Sequence, residues 1–114
     1  MKNIEDFLKA VSHEKRLRIL KMLEIRNLCV CEITDILGIR QPTVSRHLRK
    51  LRESGLVEEK RNRLFSEYRL AQRHPLDIVL RLLSEKLDDD PRIKADAEKA
   101  KSIDRYEILR RSQG

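Results

Sequence analysis

Leu28–Leu51 reads LCVCEITDILGIRQPTVSRHLRKL, and its interpretation decides the fold. A Cys-x-Cys pair, Cys29 and Cys31, opens it. Ile33, Ile36 and Leu37 follow at helical spacing, and Gly38 ends that segment. Ile39 is expected to be a buried hinge residue. A second segment starts with Gln41 as N-cap and Pro42 at the first helical position, where the missing N–H costs nothing. Val44, Leu48 and Leu51 fall at i, i+4 and i+7 and form its buried face, and Gly55 stops it after Ser54. The pattern predicts a short helix over Cys31–Leu37, a glycine turn and a basic second helix.

Upstream, Ile4, Phe7, Leu8 and Val11 mark an amphipathic first helix. Ser12 is the expected cap of a second helix, from His13 to about Ile25, with Glu14 in its first turn. Leu17, Ile19, Leu20 and Leu23 form its stripe, which Met22 and Ile25 widen. Arg26-Asn27 is its expected end, with Asn27 able to enter the left-handed region.

Downstream, Leu56–Leu70 changes period and reads as two strands with a turn near Arg61-Asn62-Arg63, Asn62 being the candidate for positive φ. Pro75 starts another helix, on which Leu76, Val79, Leu80, Leu83 and Leu87 line one face and Ile78 and Leu82 widen it. So broad a stripe suggests a subunit interface. Asp90 caps a last helical region opened by Pro91, with a weak stripe of Ile93, Ala97, Ala100 and Ile103 through residues 92–111. The expected fold is mainly α with a small β-hairpin wing: a winged helix-turn-helix in the order α-α-α-α-β-β-α, with an extra C-terminal helix. The expected division is a domain over residues 1–87 and a polar helical extension over 88–114.

A chain of 114 residues suits one domain with a modest core. The charged fraction, 39%, equals the hydrophobic fraction, so the helical layers must be thin and a partner subunit is expected to complete the core. The formal net charge is +7, and residues 40–63 alone hold eight bases against three acids. Such clustering points to a polyanion rather than to solubility alone. No apolar run approaches the roughly 20 residues that span a bilayer. The N-terminus has no apolar signal core, so a cytoplasmic location and no membrane partner are expected.

A helix that reads double-stranded DNA must expose donors while its other face packs. Gln41, Thr43, Ser45 and Arg46 stand at the N-terminal end of the basic helix, placed for base edges and phosphates, with His47 a polar contact beside them. Arg49, Lys50, Arg52 and the wing bases Lys60, Arg61 and Arg63 suit phosphate contacts. Thiolates suit thiophilic ions. A helix N-terminus is expected to lower the thiol pKa of Cys29 and Cys31. Two ligands serve zinc poorly, whereas As(III) or Sb(III) suits the pair, with a third ligand to be found. The spacing is equally compatible with two small buried hydrophobes. No glycine-rich phosphate loop, zinc-hydrolase motif or nucleophile elbow is present, so the chain is not expected to be an enzyme.

The series FLKAVSHEKRLRIL, LCVCEI, QPTVSRHL, LRESGLV and YRL resembles the ArsR/SmtB family of metal-responsive repressors. The CVC at the helix start is similar to its arsenical-resistance branch. The resemblance implies a homodimeric winged-helix repressor paired through its first and C-terminal helices. It also implies an apo form that holds the operator, As(III) or Sb(III) as inducer at Cys29 and Cys31, and no constitutive cofactor. Thr43, Ser45, Arg46 and His47 then belong to the reading helix. Many members of that branch carry a third cysteine where this chain has Thr34. Two other readings stay open on the residues: a redox or metal-independent DNA-binding regulator, and a protein-interaction module with no DNA role.

Overall fold

The computed structural model describes residues 2–72 and 74–113. The elements in chain order are α1 (Lys2–Val11), α2 (Glu14–Ile25), β1 (Leu28–Cys29), α3 (Val30–Leu37), α4 (Gln41–Glu53), β2 (Val57–Arg61), β3 (Ser66–Leu70), α5 (His74–Leu87), α6 (Pro91–Ser102) and α7 (Arg105–Gln113). The expected winged helix-turn-helix is present, with α3 and α4 as the helical pair and β2–β3 as the wing.

The core lies where α2, α3 and α4 meet the sheet. Ile19, Leu20, Met22, Leu28, Ile33, Val44, Leu48, Leu51 and Leu56 are completely buried there. Each such side chain contributes roughly 1.5–3 kcal/mol of transfer free energy, an upper bound because the unfolded chain is partly collapsed. The stripes expected of α3 and α4 face this core. Ile39 is half-buried and packs on its edge. Leu17 is half-buried, and Ile25 lies outside the core at 40% exposure.

Several helix boundaries differ by one residue from the sequence expectation, each for a local reason. His13, not Ser12, caps α2, because its Nδ1 accepts the Lys15 N–H at 3.1 Å. Ser12 instead donates its hydroxyl to Lys9 O. Arg40 is the cap of α4, and its carbonyl accepts from Thr43 and Val44. Gln41 and Pro42 are therefore the first two helical residues, and the N–H that Pro42 lacks is still one the helix leaves unpaired. Helix α3 begins at Val30, with Cys29 as its cap.

Asn27 and Asn62 do not adopt positive φ. Among the described residues, only Gly38 (φ 67°) and Gly55 (φ 75°) do so. Arg26 is extended and leads into a strand, so α2 needs no left-handed terminus. The wing tip turns by side-chain chemistry instead: Asn62 Oδ1 accepts from Leu64 N at 3.0 Å and Phe65 N at 2.8 Å. The tip is thus carried one residue further than expected, over Asn62–Phe65 (the backbone N–H of Asn62 bonds to Phe65 O).

Strand β1 was not anticipated. It pairs antiparallel with β3, Leu28 opposite Tyr68 and Cys29 opposite Glu67, giving the sheet order β1-β3-β2. Two residues are too few to show a period of two.

Residues 92–111 form two helices rather than one. Helix α6 is capped by the Asp90 carboxylate and ends at Ile103, whose backbone turns extended (φ −65°, ψ 140°). Helix α6 packs on α2 and α3, and α7 on α3. Ile93 and Ala100 are buried at the α6 contact, with a buried carboxylate beside them: Asp96, 2% exposed, takes two bonds from Arg18, at 2.7 and 2.8 Å. This bidentate pair fixes α6 on α2. Leu80 is the buried residue of α5, while Val79, Leu83 and Leu87 are half-buried. The side chains of Pro75, Leu76, Ile78 and Leu82 lie outside the described residues. None of the described helices is long and apolar enough to cross a membrane.

Removing one partner of the Arg18–Asp96 pair leaves a nearly buried charge uncompensated. Asp96→Ala is expected to lower the free energy of unfolding by about 3 kcal/mol, read as a lower urea midpoint with an unchanged slope. An unchanged midpoint would show that α6 contributes nothing to the cooperative unit.

Candidate functional site

Cys29 and Cys31 sit where β1 becomes α3. Cys29 is at once the last strand residue and the helix cap, and Cys31 lies in the first turn. The sequence favours this junction because Leu28 faces the core, and Glu32 at the third helical position reaches back to the cap. Glu32 Oε1 accepts the Cys29 N–H at 2.7 Å, which is half of a capping box. The Glu32 side chain is 1% exposed, and two cations compensate it: Arg26 at 3.1 Å and Arg105 at 3.1 Å. Arg105 also pairs with Glu67 at 2.8 Å.

Both cysteines are free thiols. Their pKa values move opposite to the sequence expectation. Burial pushes the Cys29 thiol up to about 12; Arg105 opposes this, and the Glu32 charge adds to it. Burial raises Cys31 as well, again with Glu32 adding. The partial positive charge of the α3 N-terminus is therefore outweighed by desolvation, to which the Glu32 charge adds. Thiol, not thiolate, is the resting form.

Both cysteines open into one cleft. Gln41, Ser45, Arg46, Arg49 and Arg52 of α4 form one wall, and Arg61 and Arg63 of the wing another. Ile108 and Leu109 of α7 close a further side. Seven of the eleven residues expected to meet DNA thus share a single concave surface with the thiols. Thr43, His47, Lys50 and Lys60 lie outside that cleft.

The basic residues are not equivalent. Arg52 is committed to Glu59 at 2.6 Å, tying the reading helix to the wing. Glu59 also accepts from the Ser66 hydroxyl, and that bond, ahead of the cations Arg52 and Arg61, holds its carboxyl below the usual range. Among the described residues, Arg46, Arg49, Lys50, Lys60 and Arg63 make no ion pair, which leaves them available to phosphates. Arg46 donates to Thr43 Oγ1 at 3.3 Å. His47 is half-buried against α2: its Nδ1 accepts from Arg16 Nε at 3.2 Å, and its ring lies 4.5 Å from that of His13. Burial, then the neighbouring His13, Arg16, Arg46 and Lys15, lower its pKa, so it is neutral near pH 7.

Thr34, the position of the absent third cysteine, has its hydroxyl buried with no hydrogen-bond partner among the described residues. No group of three or more His, Cys, Asp or Glu among the described residues is arranged to hold a metal ion. The donor set is two thiols, which fits a thiophile making two bonds to protein and does not fit a closed tetrahedral zinc site.

Sequence reasoning missed Glu32, Arg26, Arg105 and Glu67. The Cys-x-x-Glu spacing, Cys29 to Glu32, was a readable cue for the first of these.

Helices α3 and α4, with the wing and its basic cleft, define a winged helix-turn-helix protein. Within that class the chain belongs to the arsR family of bacterial regulatory proteins, whose family model matches residues 13–59. This is a family of transcription regulators, not of enzymes. The chain is 41% identical over 68 residues to the arsenical resistance operon repressor of Escherichia coli K12 and spans 58% of its length, the match covering 59% of this chain. It is 35% identical over 92 residues to the arsenic resistance transcriptional regulator ArsR2 of Pseudomonas putida KT2440, covering 75% of this chain and 80% of that protein. The solution structure of the homodimeric winged helix-turn-helix DNA-binding domain of Mb0332 from Mycobacterium bovis superposes with a TM-score of 0.67 at 27% identity, over 77% of this chain and 81% of that one.

A thiol that keeps its proton longer in the folded than in the unfolded state stabilises the fold below its unfolded pKa, about 8.5. That contribution is lost as pH rises towards the folded value near 12. Stability is therefore expected to fall above about pH 9, and Cys29→Ser should flatten that decline in urea titrations. An identical slope in the variant would mean that Cys29 is not the group responsible.

Proposed function

We propose that this chain is a dimeric transcriptional repressor that binds an operator through α4 and the wing and leaves it when As(III) or Sb(III) is captured by Cys29 and Cys31. The observation that carries the reading is the shared cleft: both cysteines line the concavity that also presents the N-terminal end of α4 and the wing arginines. A ligand bound there acts within one small volume on the junction that orients α3, and α3 is joined to α4 only by Gly38, Ile39 and Arg40. The similarity to named arsenical-resistance repressors supports the choice of ligand.

In this reading Gln41, Thr43, Ser45 and Arg46 meet base edges and nearby phosphates. Arg49, Lys50, Lys60, Arg61 and Arg63 meet the backbone. Arg52, held by Glu59, sets the angle between reading helix and wing as well as adding charge. His47, tied to Arg16 and His13, supports α4 from behind, as a neutral ring bonded to α2 is a poor phosphate ligand. Each sulfur forms one bond to the metalloid and loses its proton to a departing hydroxide, which leaves as water. A ligand drawn onto the buried Cys29 pulls on a backbone whose N–H is bonded to Glu32 and whose strand is paired with β3, so the pull is felt as a shift of that junction. That shift distorts the start of α3. Ile4 and Leu8 of α1, each 56% exposed, and the half-buried Val79, Leu83 and Leu87 of α5 are the surfaces that suit a second copy of the chain. The homodimeric state of Mb0332 supports that arrangement. The raised thiol pKa values disfavour a peroxide switch, since thiolate is the nucleophile.

Binding to a fragment of its own promoter, followed by fluorescence anisotropy, tests the assignment. Arsenite under reducing conditions is expected to weaken binding by about 5–150-fold. Cys29→Ser or Cys31→Ser should remove that response. Undiminished binding at saturating arsenite would sink the inducer assignment. Separately, Arg63→Ala should reduce the slope of log K against log salt by about one, uniformly across sequences. A slope unchanged by Arg63→Ala, or binding indifferent to salt, would argue against phosphate contact by the wing.

A further inference from the structure

Helix α7 has no part in the scheme above, yet it lies across the thiol junction. Its start is pinned: Arg26 donates to Ala100 O at 2.8 Å and also to Ile103 O, and Asp104 accepts the Tyr106 N–H at 2.8 Å. From that anchored turn Arg105 points inward. Its guanidinium spans Glu32 (3.1 Å) and Glu67 (2.8 Å) and stands 5.7 Å from the centre of the Phe65 ring. Tyr106 meets the same ring edge-on at 5.3 Å. Both carboxylates adjoin Cys29. Glu32 Oε1 holds its N–H, and Glu67 is its partner across the sheet.

Further along α7, Ile108, Leu109 and Ser112 line the cleft beside both cysteines. Arg111 is 3.7 Å from Asp35, which lies one turn after Cys31 on the same face of α3. Thr34 shares that face, and its buried hydroxyl has no hydrogen-bond partner among the described residues. An unpaired buried hydroxyl opposes closure of whatever covers it. Helix α7 is thus held chiefly at its start, by Arg105, with the more exposed Arg111–Asp35 pair further along.

We propose that α7 is a clasp on the thiol pair, turning at Ile103–Asp104 and latched by Arg105, and that it must be displaced before both sulfurs can take one thiophilic ligand. The purpose of the clasp rests on the reading of Cys29 and Cys31 as inducer ligands; the latch itself does not. Arg105 is a positioning residue. It acts on Cys29 through Glu32, since one oxygen, Oε1, receives both the Arg105 guanidinium and the Cys29 N–H. An arginine suits the task because its planar fork reaches two carboxylates at once, which a lysine ammonium does less well.

The test is alkylation of the full-length native protein with iodoacetamide, the modified site being read by peptide mass spectrometry. In Arg105→Gln, Cys29 is expected to react about tenfold faster than in wild type, or more, because local opening limits access to a buried thiol. Arg105→Lys should fall between the two, and Cys31, already half-exposed, should change by less than about threefold. A Cys29 rate within about twofold of wild type in a folded Arg105→Gln protein overturns the clasp. Should Arg105→Gln unfold the chain, Leu109→Ala decides, as it keeps the latch but thins the wall beside the sulfurs. Faster Cys29 alkylation there supports the clasp, and an unchanged rate overturns it. Arsenite-driven DNA release measured on the same variants separates the two assignments. Ungated alkylation with intact induction removes the clasp alone, whereas gated alkylation without any arsenite response removes the inducer assignment and leaves the clasp.

Discussion

The carboxylate of Glu32 is the group on which the arrangement depends. It is nearly inaccessible to water, and a buried charge of this kind persists only with close compensation. Three donors supply it: the backbone of Cys29 before it, Arg26 from the end of α2, and Arg105 from the start of α7. The first two lie within six residues of Glu32, whereas Arg105 comes from far along the chain. One acid therefore ties the end of α2, the β1–α3 junction and the start of α7 into a single corner. Its charge also adds to the burial that opposes ionisation of both thiols.

A second carboxylate has the corresponding role between α4 and the wing. Glu59 in the wing binds Arg52 of the reading helix and the Ser66 hydroxyl of the opposite strand. Neither pair adds much stability, since Arg52 is 45% exposed and solvent screens it. Their value is geometric. They fix the angle between helix and hairpin and leave Arg46, Arg49 and Arg63 lining a common concavity with no ion pair among the described residues.

The helical plan was legible because α3 and α4 each announce themselves three ways, by stripe, by terminator and by charge. Leu48 and Leu51 could hardly be anything but core, and Gly38 and Gly55 fall at the two positive-φ positions. What escaped was everything that needs two distant segments at once. Strand β1 is two residues long and exists only because β3 is there to pair with it. The break at Ile103 has no proline or glycine to mark it and is set by Arg26 gripping the carbonyls of Ala100 and Ile103. The thiol pKa was misjudged because a local rule, the helix terminus, was applied without the burial and the adjacent carboxylate that outweigh it.

The register of the small sheet has one more implication. Glu67 stands opposite Cys29 on one side and opposite Lys60 on the other, so thiol, acid and wing base occupy a single rung. Neighbouring strands lie about 4.8 Å apart. The sulfur-bearing residue and a wing cation are thus separated by two strand spacings of hydrogen-bonded backbone, with no loop between them. Movement at Cys29 has a lateral route to the wing that bypasses α4 altogether. Helix and wing can therefore be disturbed in the same event, each by its own mechanical path.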